Sequence, residues 1–324
     1  MKTKIRWGII GCGDVTEVKS GPGFQKAEGS ELIAVMRRNG KLAEDYARRH
    51  SVPKWYDDAN KLINDPDVDA VYIATPPSTH KKYTLEAASA GKPVYVEKPM
   101  ALNYHECAEM VDACRKLKVP LFVAYYRRAL PRFLKIKSLL EKKAIGEIRS
   151  VNIRFYQIPS DSDFKKLDNW RVDPSIAGCG YFCDLGSHMI DLIQYYFGKI
   201  TSVSGFHSNH SGLYKAEDTV NAAFHFENGI QGTGLWCFAT GENLDQTEIV
   251  GSKGKIIYST FLMEPTTLIV NNKQEEIKIE NPEHVAQPLI QLVVDELLGK
   301  EKCPSTGKTG AATSWVMDKI LGRI

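Results

Sequence analysis

The sequence predicts an α/β fold in which a doubly wound parallel Rossmann sheet is followed by an α+β domain with a large, mostly antiparallel open sheet. Over the first third of the chain, short apolar strands alternate with helix-length segments, which is typical of a parallel sheet covered by helices. A glycine turn, Gly11 to Gly13, follows the first strand. Beyond Gly146 the pattern changes to strands with a period of two. The 324 residues are enough for two domains.

The first predicted domain, residues 1–124, binds a dinucleotide. Ser78 is expected to cap a helix over 81–90, and Gly91 is expected to end it. The crossovers between strands are short enough for one compact layer on each face of the sheet. The predicted strands are Ile5–Ile10, Leu32–Met36, Val68–Ala74, Val94–Val96 and Leu121–Ala124.

The glycine turn is the first candidate binding element. A glycine at position 11 permits a tight strand-to-helix turn, and a glycine at position 13 lets a pyrophosphate approach the backbone amides. Thr16 stands where a third small residue is usual, and the segment 19–23 should shorten or kink the first helix. A purely structural turn is the alternative. The expected cofactor-binding residues here are Gly11, Cys12, Gly13, Asp14 and Val15.

The end of the second strand decides the coenzyme. NAD-preferring domains usually carry a carboxylate there to bind the ribose hydroxyls, whereas this chain has Arg37 and Arg38 after Met36. Two guanidinium groups can bind a 2′-phosphate with charge-assisted hydrogen bonds. The sequence therefore predicts that NADP(H) is preferred and that NAD(H) is possible. The alternative is that both arginines are solvated loop charges.

The second predicted domain, residues 125–324, binds the substrate and forms the oligomer. Alternation over 151–156 and 220–226, with a turn at Asn228-Gly229, predicts a largely antiparallel sheet interrupted by a helix at about 180–197. An uncovered sheet face that carries Phe, Trp and His predicts a homodimer or homotetramer through this sheet. From Pro288 onward the chain predicts two amphipathic helices, which could pack back on the first domain.

Composition excludes several classes of function. The 42 basic and 39 acidic residues are scattered, so nucleic acid is not an expected partner. No segment approaches the length of a membrane span, and no signal peptide is recognised, because the apolar run after the amino-terminal basic residues ends at Gly11. The seven cysteines form no CxxC pair, which favours reduced thiols in a cytoplasmic protein, Cys179 and Cys183 among them. No metal site is expected.

Two further stretches carry chemistry. Glu97-Lys98-Pro99 follows the fifth strand, at the edge where ligands bind in doubly wound sheets. Farther along, Asp184 and His188 are four residues apart, so on an α-helix they would share one face. Carbonyl reduction needs a proton donor and a positive charge at the developing alkoxide, and a lysine with a histidine can supply both.

With these motifs the chain resembles the glucose-fructose oxidoreductase and inositol dehydrogenase (Gfo/Idh/MocA) family of two-domain sugar and polyol oxidoreductases, over essentially its whole length. The arginine pair and the Trp170-Arg171 loop are similar to those of its anhydrofructose reductase and dihydrodiol or xylose dehydrogenase branch. The matching pieces are the amino-terminal glycine turn, Glu97-Lys98-Pro99, Trp170-Arg171, Asp184 with His188, and Gly251-Ser252-Lys253-Gly254.

The resemblance implies that Lys98 and His188 lie near the substrate oxygen and that either is the acid. A histidine titrates near pH 6.5, so His188 is favoured as acid and base, with Lys98 as the electrostatic stabiliser and proton-relay partner. Asp184 is expected to orient the imidazole or another polar neighbour. A buried structural histidine and a solvated lysine are the alternatives. The expected catalytic residues are Lys98, His188 and Asp184.

The remaining candidates are contacts. Trp170 and Arg171 are expected to contact nicotinamide and substrate, and Tyr126 to line the substrate side, although each could instead be structural. Thr75 and Pro76, at the end of the fourth strand, should border the coenzyme. His80, Glu97 and Lys98 are further candidate cofactor contacts, and His80 is more often a first-turn helix residue than a ligand. The expected substrate-binding residues are Lys98, Tyr126, Arg171, Asp184 and His188.

These features together predict an NADP(H)-dependent oxidoreductase that transfers hydride between nicotinamide and a sugar, anhydro sugar or cyclitol carbonyl or alcohol. Two other classes stay open. One is a dinucleotide-dependent glycosidase of the related type, which would purify with its nucleotide bound. The other is a non-catalytic NADP-sensing regulatory protein.

Overall fold

The first part of the chain forms a parallel sheet. The computed structural model describes residues 3–324, and within them the first sheet has the order β3-β2-β1-β4-β5-β6. All its pairings are parallel, as the sequence predicted. The strands are β1 (Ile5–Ile10), β2 (Ser30–Met36), β3 (Lys54–Tyr56), β4 (Ala70–Ile73), β5 (Val94–Val96) and β6 (Leu121–Val123).

Helices connect these strands and cover the sheet. Strands β4, β5 and β6 are buried along their whole length, which is typical of a parallel sheet with both faces covered. The helices of this part are α1 (Asp14–Val18), α2 (Gly21–Lys26), α3 (Gly40–Arg49), α4 (Ala59–Ile63), α5 (His80–Ser89) and α6 (Tyr104–Lys116).

Two local predictions in this part were wrong. Ser78 does not cap the fourth crossover helix, because it lies inside a 3₁₀ turn, Pro77–Thr79, that precedes α5. The predicted strand Val68–Ala74 is shorter at both ends, because β4 covers only Ala70–Ile73. The edge strand β3 was missed because, unlike the equally short β5 and β6, it is not a buried apolar run.

The second sheet is mostly antiparallel, as predicted. Its order within the described residues is β14-β13-β12-β11-β7-β10-β9-β8, and β7 and β10 form its parallel pair. The strands are β7 (Ile148–Tyr156), β8 (Ile200–Ser208), β9 (Thr219–Phe226), β10 (Gln231–Cys237), β11 (Leu244–Gly251), β12 (Gly254–Tyr258), β13 (Thr266–Val270) and β14 (Lys273–Ile277), and the accompanying helices are α7 (Pro131–Glu141), α8 (Asp161–Phe164), α9 (Pro174–Ala177) and α10 (Ser187–Phe197).

One face of the second sheet packs against α10. The Trp236 ring lies 5.0 Å from the Phe182 ring, and its Nε1 donates to Met189 Sδ at 3.2 Å. The expectation that tryptophan and phenylalanine crowd the open face was wrong in part, because Trp236 and Phe224 point into the core. On the open face Phe206 is 77% exposed, and most of its neighbours are polar.

The carboxyl-terminal helices are α11 (Gln287–Leu297) and α12 (Gly307–Ile320). The sequence placed a boundary after residue 124 and left the packing of these helices open. In the structure one compact unit contains the described residues up to Leu130 together with Pro282–Ala311, and the other contains Pro131–Asn281 and Ala312–Ile324. In the first unit, Ser305 Oγ donates to the Val123 carbonyl at 2.7 Å. None of the helices within residues 3–324 has the length and apolar character needed to cross a bilayer.

Candidate active site

The glycine turn shows how two glycines serve different purposes. Gly11 has φ +94°, and a Cβ there would lie 2.7 Å from Thr75 Cγ2 and 2.9 Å from the Thr75 nitrogen. The amides of Gly11 and Cys12 donate to the Met36 carbonyl, at 2.9 and 3.2 Å. Gly13 has an extended backbone, and a Cβ there would meet nothing closer than the Gly11 carbonyl oxygen at 4.0 Å. The backbone of Gly13 is therefore open to an approaching phosphate group.

The helix after this turn is interrupted, as predicted, because α1 ends at Val18 and α2 begins at Gly21. Thr16 is fully buried, and its Oγ1 donates to the Gly13 carbonyl at 2.7 Å. A Cβ on Gly21 would collide with the Thr16 carbonyl oxygen. A glycine at position 21 therefore lets the start of α2 lie close to the Thr16 carbonyl and the Tyr46 hydroxyl.

Cys12, Asp14 and Arg37 surround the turn. Burial raises the pKa of the Cys12 thiol to about 11, and the positive charge of Arg37 acts in the opposite direction. Asp14, the first residue of α1, is exposed. Arg38 is also exposed, and the next residue, Asn39, caps α3 by accepting from the Leu42 amide.

Thr75 and Pro76 follow β4, and the His80 side chain is hydrogen-bonded to the Thr75 carbonyl. The His80 ring is fully buried, with Nε2 2.6 Å from the Thr75 carbonyl oxygen and Nδ1 3.1 Å from the Pro99 carbonyl oxygen. Burial lowers the pKa of His80 to about 4. The imidazole therefore links the loop after β4 to the segment after Lys98, and its predicted contact with the cofactor stays a prediction.

Glu97 and Lys98 follow β5, at the same carboxyl edge of the sheet as the glycine turn. Glu97 Oε1 accepts from the Tyr72 hydroxyl at 2.5 Å, and Oε2 accepts from the Lys98 amide at 3.1 Å. Burial raises the pKa of Glu97, while the Tyr72 hydrogen bond and the positive charge of Lys98 lower it. Lys98 is partly exposed, and the peptide bond between it and Pro99 is cis.

Tyr126 begins a 3₁₀ turn, Tyr126–Ala129, after β6. The Arg127 guanidinium lies 4.9 Å from the centre of the Tyr126 ring and donates to its hydroxyl at 3.0 Å. Arg128 donates to the Pro304 carbonyl at 2.8 Å, within the first unit. The substrate-facing role of Tyr126 stays a prediction.

In the second unit, His188 lies in the first turn of α10. The residue is 3% exposed, and its ring contacts Phe261 edge to face at 5.9 Å between centres. The four-residue spacing had predicted that Asp184 and His188 share one α-helix, and this was wrong. Asp184 lies in a π-helical turn, Phe182–Gly186, that precedes α10. Such a wider turn changes the angle between residues four apart. Asp184 Oδ2 lies 3.6 Å from Arg171 Nε in an ion pair.

Trp170 and Arg171 lie in a short 3₁₀ turn, Trp170–Val172, and both are exposed. The Arg171 guanidinium stacks 4.6 Å from the Trp170 ring centre. Three residues that the sequence analysis missed hold this loop. Asn169 accepts from the Arg171 amide and donates to the Tyr181 hydroxyl at 3.0 Å, and Tyr181 donates to Asp163 at 2.9 Å. The Ser160-x-x-Asp163 capping box was the available signal.

Cys179 and Cys183 form a disulfide, so the expectation of two thiols was wrong for this pair. The turn that begins the π-helix brings their Cα atoms to 5.4 Å, within the range that a disulfide requires. The cytoplasmic location stays a prediction. Within residues 3–324, no three His, Cys, Asp or Glu side chains form a group that could hold a metal ion.

Known proteins resemble this chain along its length. Residues 5–125 match the oxidoreductase family with an NAD-binding Rossmann fold, and residues 133–257 match the GFO/IDH/MocA C-terminal domain. Oxidoreductase P35 of Formosa agariphila is 42% identical over 99% of this chain and 100% of its own. The mouse trans-1,2-dihydrobenzene-1,2-diol dehydrogenase is 30% identical over 84% of this chain and 79% of its own. A levoglucosan dehydrogenase solved with NADH superposes with a TM-score of 0.87 at 25% identity, covering 99% of this chain and 96% of its own.

Proposed function

This chain belongs to the Gfo/Idh/MocA family of oxidoreductases, and on that premise we propose that it transfers hydride between NADP(H) and a sugar, anhydro sugar or cyclitol. The proposal rests chiefly on one observation, the carboxyl edge of the parallel sheet. There the open backbone of Gly13, the exposed Arg37 and Arg38, and Lys98 follow the ends of β1, β2 and β5. Ligands of doubly wound sheets bind at this edge.

The residues of this edge fit a dinucleotide. The amides of the glycine turn can hold the pyrophosphate, because the backbone of Gly13 is uncovered. Thr75 and Pro76 border the nicotinamide side in this proposal. Arg37 and Arg38 hold the 2′-phosphate, since no carboxylate follows β2 to bind the ribose or repel the phosphate. NAD(H) is the competing coenzyme, because a related levoglucosan dehydrogenase has been solved with NADH.

When bound, the nicotinamide gives or takes a hydride, and the residues of this chain manage the proton and the charge. His188 donates a proton to the substrate oxygen in reduction and removes it in oxidation. The Lys98 ammonium stabilises negative charge on that oxygen. Asp184 fixes Arg171 through their ion pair, which supports its assignment as an orienting residue. Burial of His188 supports a protected proton site.

The substrate class follows from the Trp170-Arg171 loop. Its exposed aromatic ring can pack on the apolar face of a sugar ring, and its guanidinium can donate to hydroxyl groups. The levoglucosan dehydrogenase and dihydrodiol dehydrogenase relatives support a substrate with neighbouring oxygens.

A substrate panel tests the proposal. Loss of NADPH absorbance is followed with keto sugars, anhydrofructose and an inosose, and NADP⁺ reduction is followed with the matching alcohols, each repeated with NADH and NAD⁺. The proposal expects turnover with at least one polyhydroxylated substrate and a lower Michaelis constant for NADPH than for NADH. Release of a leaving sugar from a glycoside with bound nucleotide, or coenzyme binding with no turnover on any member, contradicts it.

We also propose that the open face of the second sheet forms a homodimer or homotetramer. The exposed Phe206 and the partly exposed Leu235 and Ile257 give this face apolar area among its polar residues. Light scattering should report a multiple of the 36.3 kDa chain mass, and a monomer mass would contradict the proposal.

A further inference from the structure

A buried tyrosine, Tyr72, is hydrogen-bonded to the residue that precedes Lys98. The Tyr72 hydroxyl donates to Glu97 Oε1 at 2.5 Å, while the other carboxylate oxygen of Glu97 accepts from the Lys98 amide at 3.1 Å. The Tyr72 hydroxyl is also 3.2 Å from Ser20 Oγ, on the segment that joins α1 to α2. One phenol therefore connects the segment after the glycine turn to the residue that precedes Lys98.

The surroundings of Tyr72 favour its hydroxyl as a hydrogen-bond donor to Glu97. It is fully buried, and its ring packs between Phe24 and Tyr95, at 5.0 and 5.1 Å between centres. Burial raises the pKa of Tyr72 well above the usual value for a phenol. The hydroxyl consequently keeps its proton, and the nearby carboxylate is its natural acceptor.

The charges that face Glu97 come from three directions. Lys98 adjoins it in sequence, Lys19 faces it from the segment between α1 and α2, and Tyr72 faces it from β4. Tyr95, on the strand that leads to Glu97, also lies within its electrostatic reach. Burial raises the pKa of Glu97, whereas the Tyr72 hydrogen bond and the two lysines lower it. The Tyr72 hydroxyl is thus one of the groups that favour the ionised form of Glu97 against the effect of burial.

Tyr95 provides a matched comparison within the same core. It stacks on Tyr72, is 1% exposed and, like Tyr72, has its pKa raised by burial. Among residues 3–324, however, its hydroxyl has no hydrogen-bond partner. Two neighbouring phenols therefore share burial and packing but differ in whether the hydroxyl reaches Glu97.

We propose that Tyr72 is a positioning residue for the reaction, and that its hydroxyl fixes the Glu97 carboxylate that in turn holds the main chain at Lys98. The inference rests on the proposed function, because Lys98 is the residue that it positions. The mechanism is indirect. A carboxylate held at both oxygens fixes the direction in which the chain leaves β5, and its charge lies beside the ammonium. Small displacements of a catalytic group lower turnover steeply.

Two single variants test the inference. Tyr72→Phe removes the hydroxyl and keeps the ring, and Tyr95→Phe makes the same change without removing a hydrogen bond. We expect Tyr72→Phe to lower kcat about tenfold or more, with the Michaelis constant for NADPH changed by less than about threefold, and Tyr95→Phe to stay within about twofold of wild type in both. Equal effects of the two variants would overturn the inference.

A second readout does not need turnover. In coenzyme-free protein with ¹³C-labelled glutamate side chains, the Glu97 signal is assigned by its loss in Glu97→Gln and followed against pH. Glu97 should titrate at a higher pH in Tyr72→Phe than in wild type, because a hydrogen bond to its charged form is gone, and it should titrate as in wild type in Tyr95→Phe. An unchanged Glu97 titration in Tyr72→Phe would refute the link even if no substrate in the panel turned over.

The double variant Tyr72→Phe/Glu97→Gln separates an indirect role from a general loss of packing. If Tyr72 acts through Glu97, the double variant should lose no more kcat than Glu97→Gln alone. Losses that multiply would mean that Tyr72 acts independently of Glu97, and the inference would fail.

Discussion

Replacement of Gly13 by alanine should weaken coenzyme binding without weakening the fold. Gly13 has φ −136° and ψ −158°, which an alanine adopts without strain, and the added Cβ would have no protein atom within 4 Å except the Gly11 carbonyl oxygen at 4.0 Å. Gly→Ala at such a position stabilises a protein by about 0.4–1 kcal/mol, because the unfolded chain loses freedom. If the pyrophosphate binds at this turn as proposed, the added methyl group occupies the space that the pyrophosphate needs.

The cost to binding can be worked out from the contacts at stake. A hydrogen bond from a backbone amide to a charged phosphate contributes about 1.5–3 kcal/mol, so losing one such bond weakens the affinity for NADPH about tenfold to a hundredfold. Gly11→Ala is the contrasting variant. Its φ of +94° and the Thr75 backbone nitrogen at 2.9 Å from the added Cβ predict a loss of about 2–5 kcal/mol of folding stability.

The assay combines urea unfolding with titration of NADPH fluorescence for wild type and both variants. Gly13→Ala should unfold at the wild-type urea concentration or slightly above it, and bind NADPH at least about tenfold more weakly. Gly11→Ala should unfold at a lower concentration. Wild-type affinity in Gly13→Ala would refute the assignment of this turn to the pyrophosphate.

Two other predictions concern charges. Arg37→Ala combined with Arg38→Ala should raise the Michaelis constant for NADPH at least about tenfold and leave that for NADH unchanged, and equal constants for both coenzymes in wild type would contradict the assignment. Glu97→Gln should be more stable than wild type at neutral pH. Burial raises the pKa of Glu97 in the folded protein above its unfolded value of about 4.3. The free energy of unfolding that the Glu97 carboxyl contributes is therefore fully present below the unfolded pKa and is lost as the pH rises through the folded pKa. Melting temperatures of the two proteins should therefore converge in acid and separate near neutral pH, and a constant difference would contradict this.

The fold could be predicted where a hydrophobic pattern extends over a whole helix or strand. Strand β6 is a continuous apolar run, β1 is apolar except for Arg6, and β9 alternates buried and exposed residues, so each follows from its own sequence. Short turns that depend on local hydrogen bonds could not be predicted from the sequence. Thr79 Oγ1 donates to Thr75 Oγ1 at 2.7 Å, and this turn moves the start of α5 away from the expected cap at Ser78.

The sequence allowed candidate site residues to be proposed, but it did not reveal the residues that hold them in place. Lys98, His188 and the arginine pair could be proposed from the sequence because reactive side chains at strand and helix ends form a recognisable order along the chain. Tyr72 and Tyr181 could not be identified, because the residues that accept their hydrogen bonds, Glu97 and Asp163, are distant in sequence. The π-helical turn at Asp184 likewise depends on tertiary packing that no local pattern records.

Turnover and coenzyme affinity, measured separately in Lys98→Ala and His188→Ala, test the central claim most directly. The claim is that an ammonium and an imidazole act on the same substrate oxygen, while the glycine turn and the arginine pair bind NADPH. Each variant should lose at least about a hundredfold in kcat on the substrate found by the panel, with an NADPH dissociation constant close to that of wild type. Wild-type kcat in either variant would contradict the account.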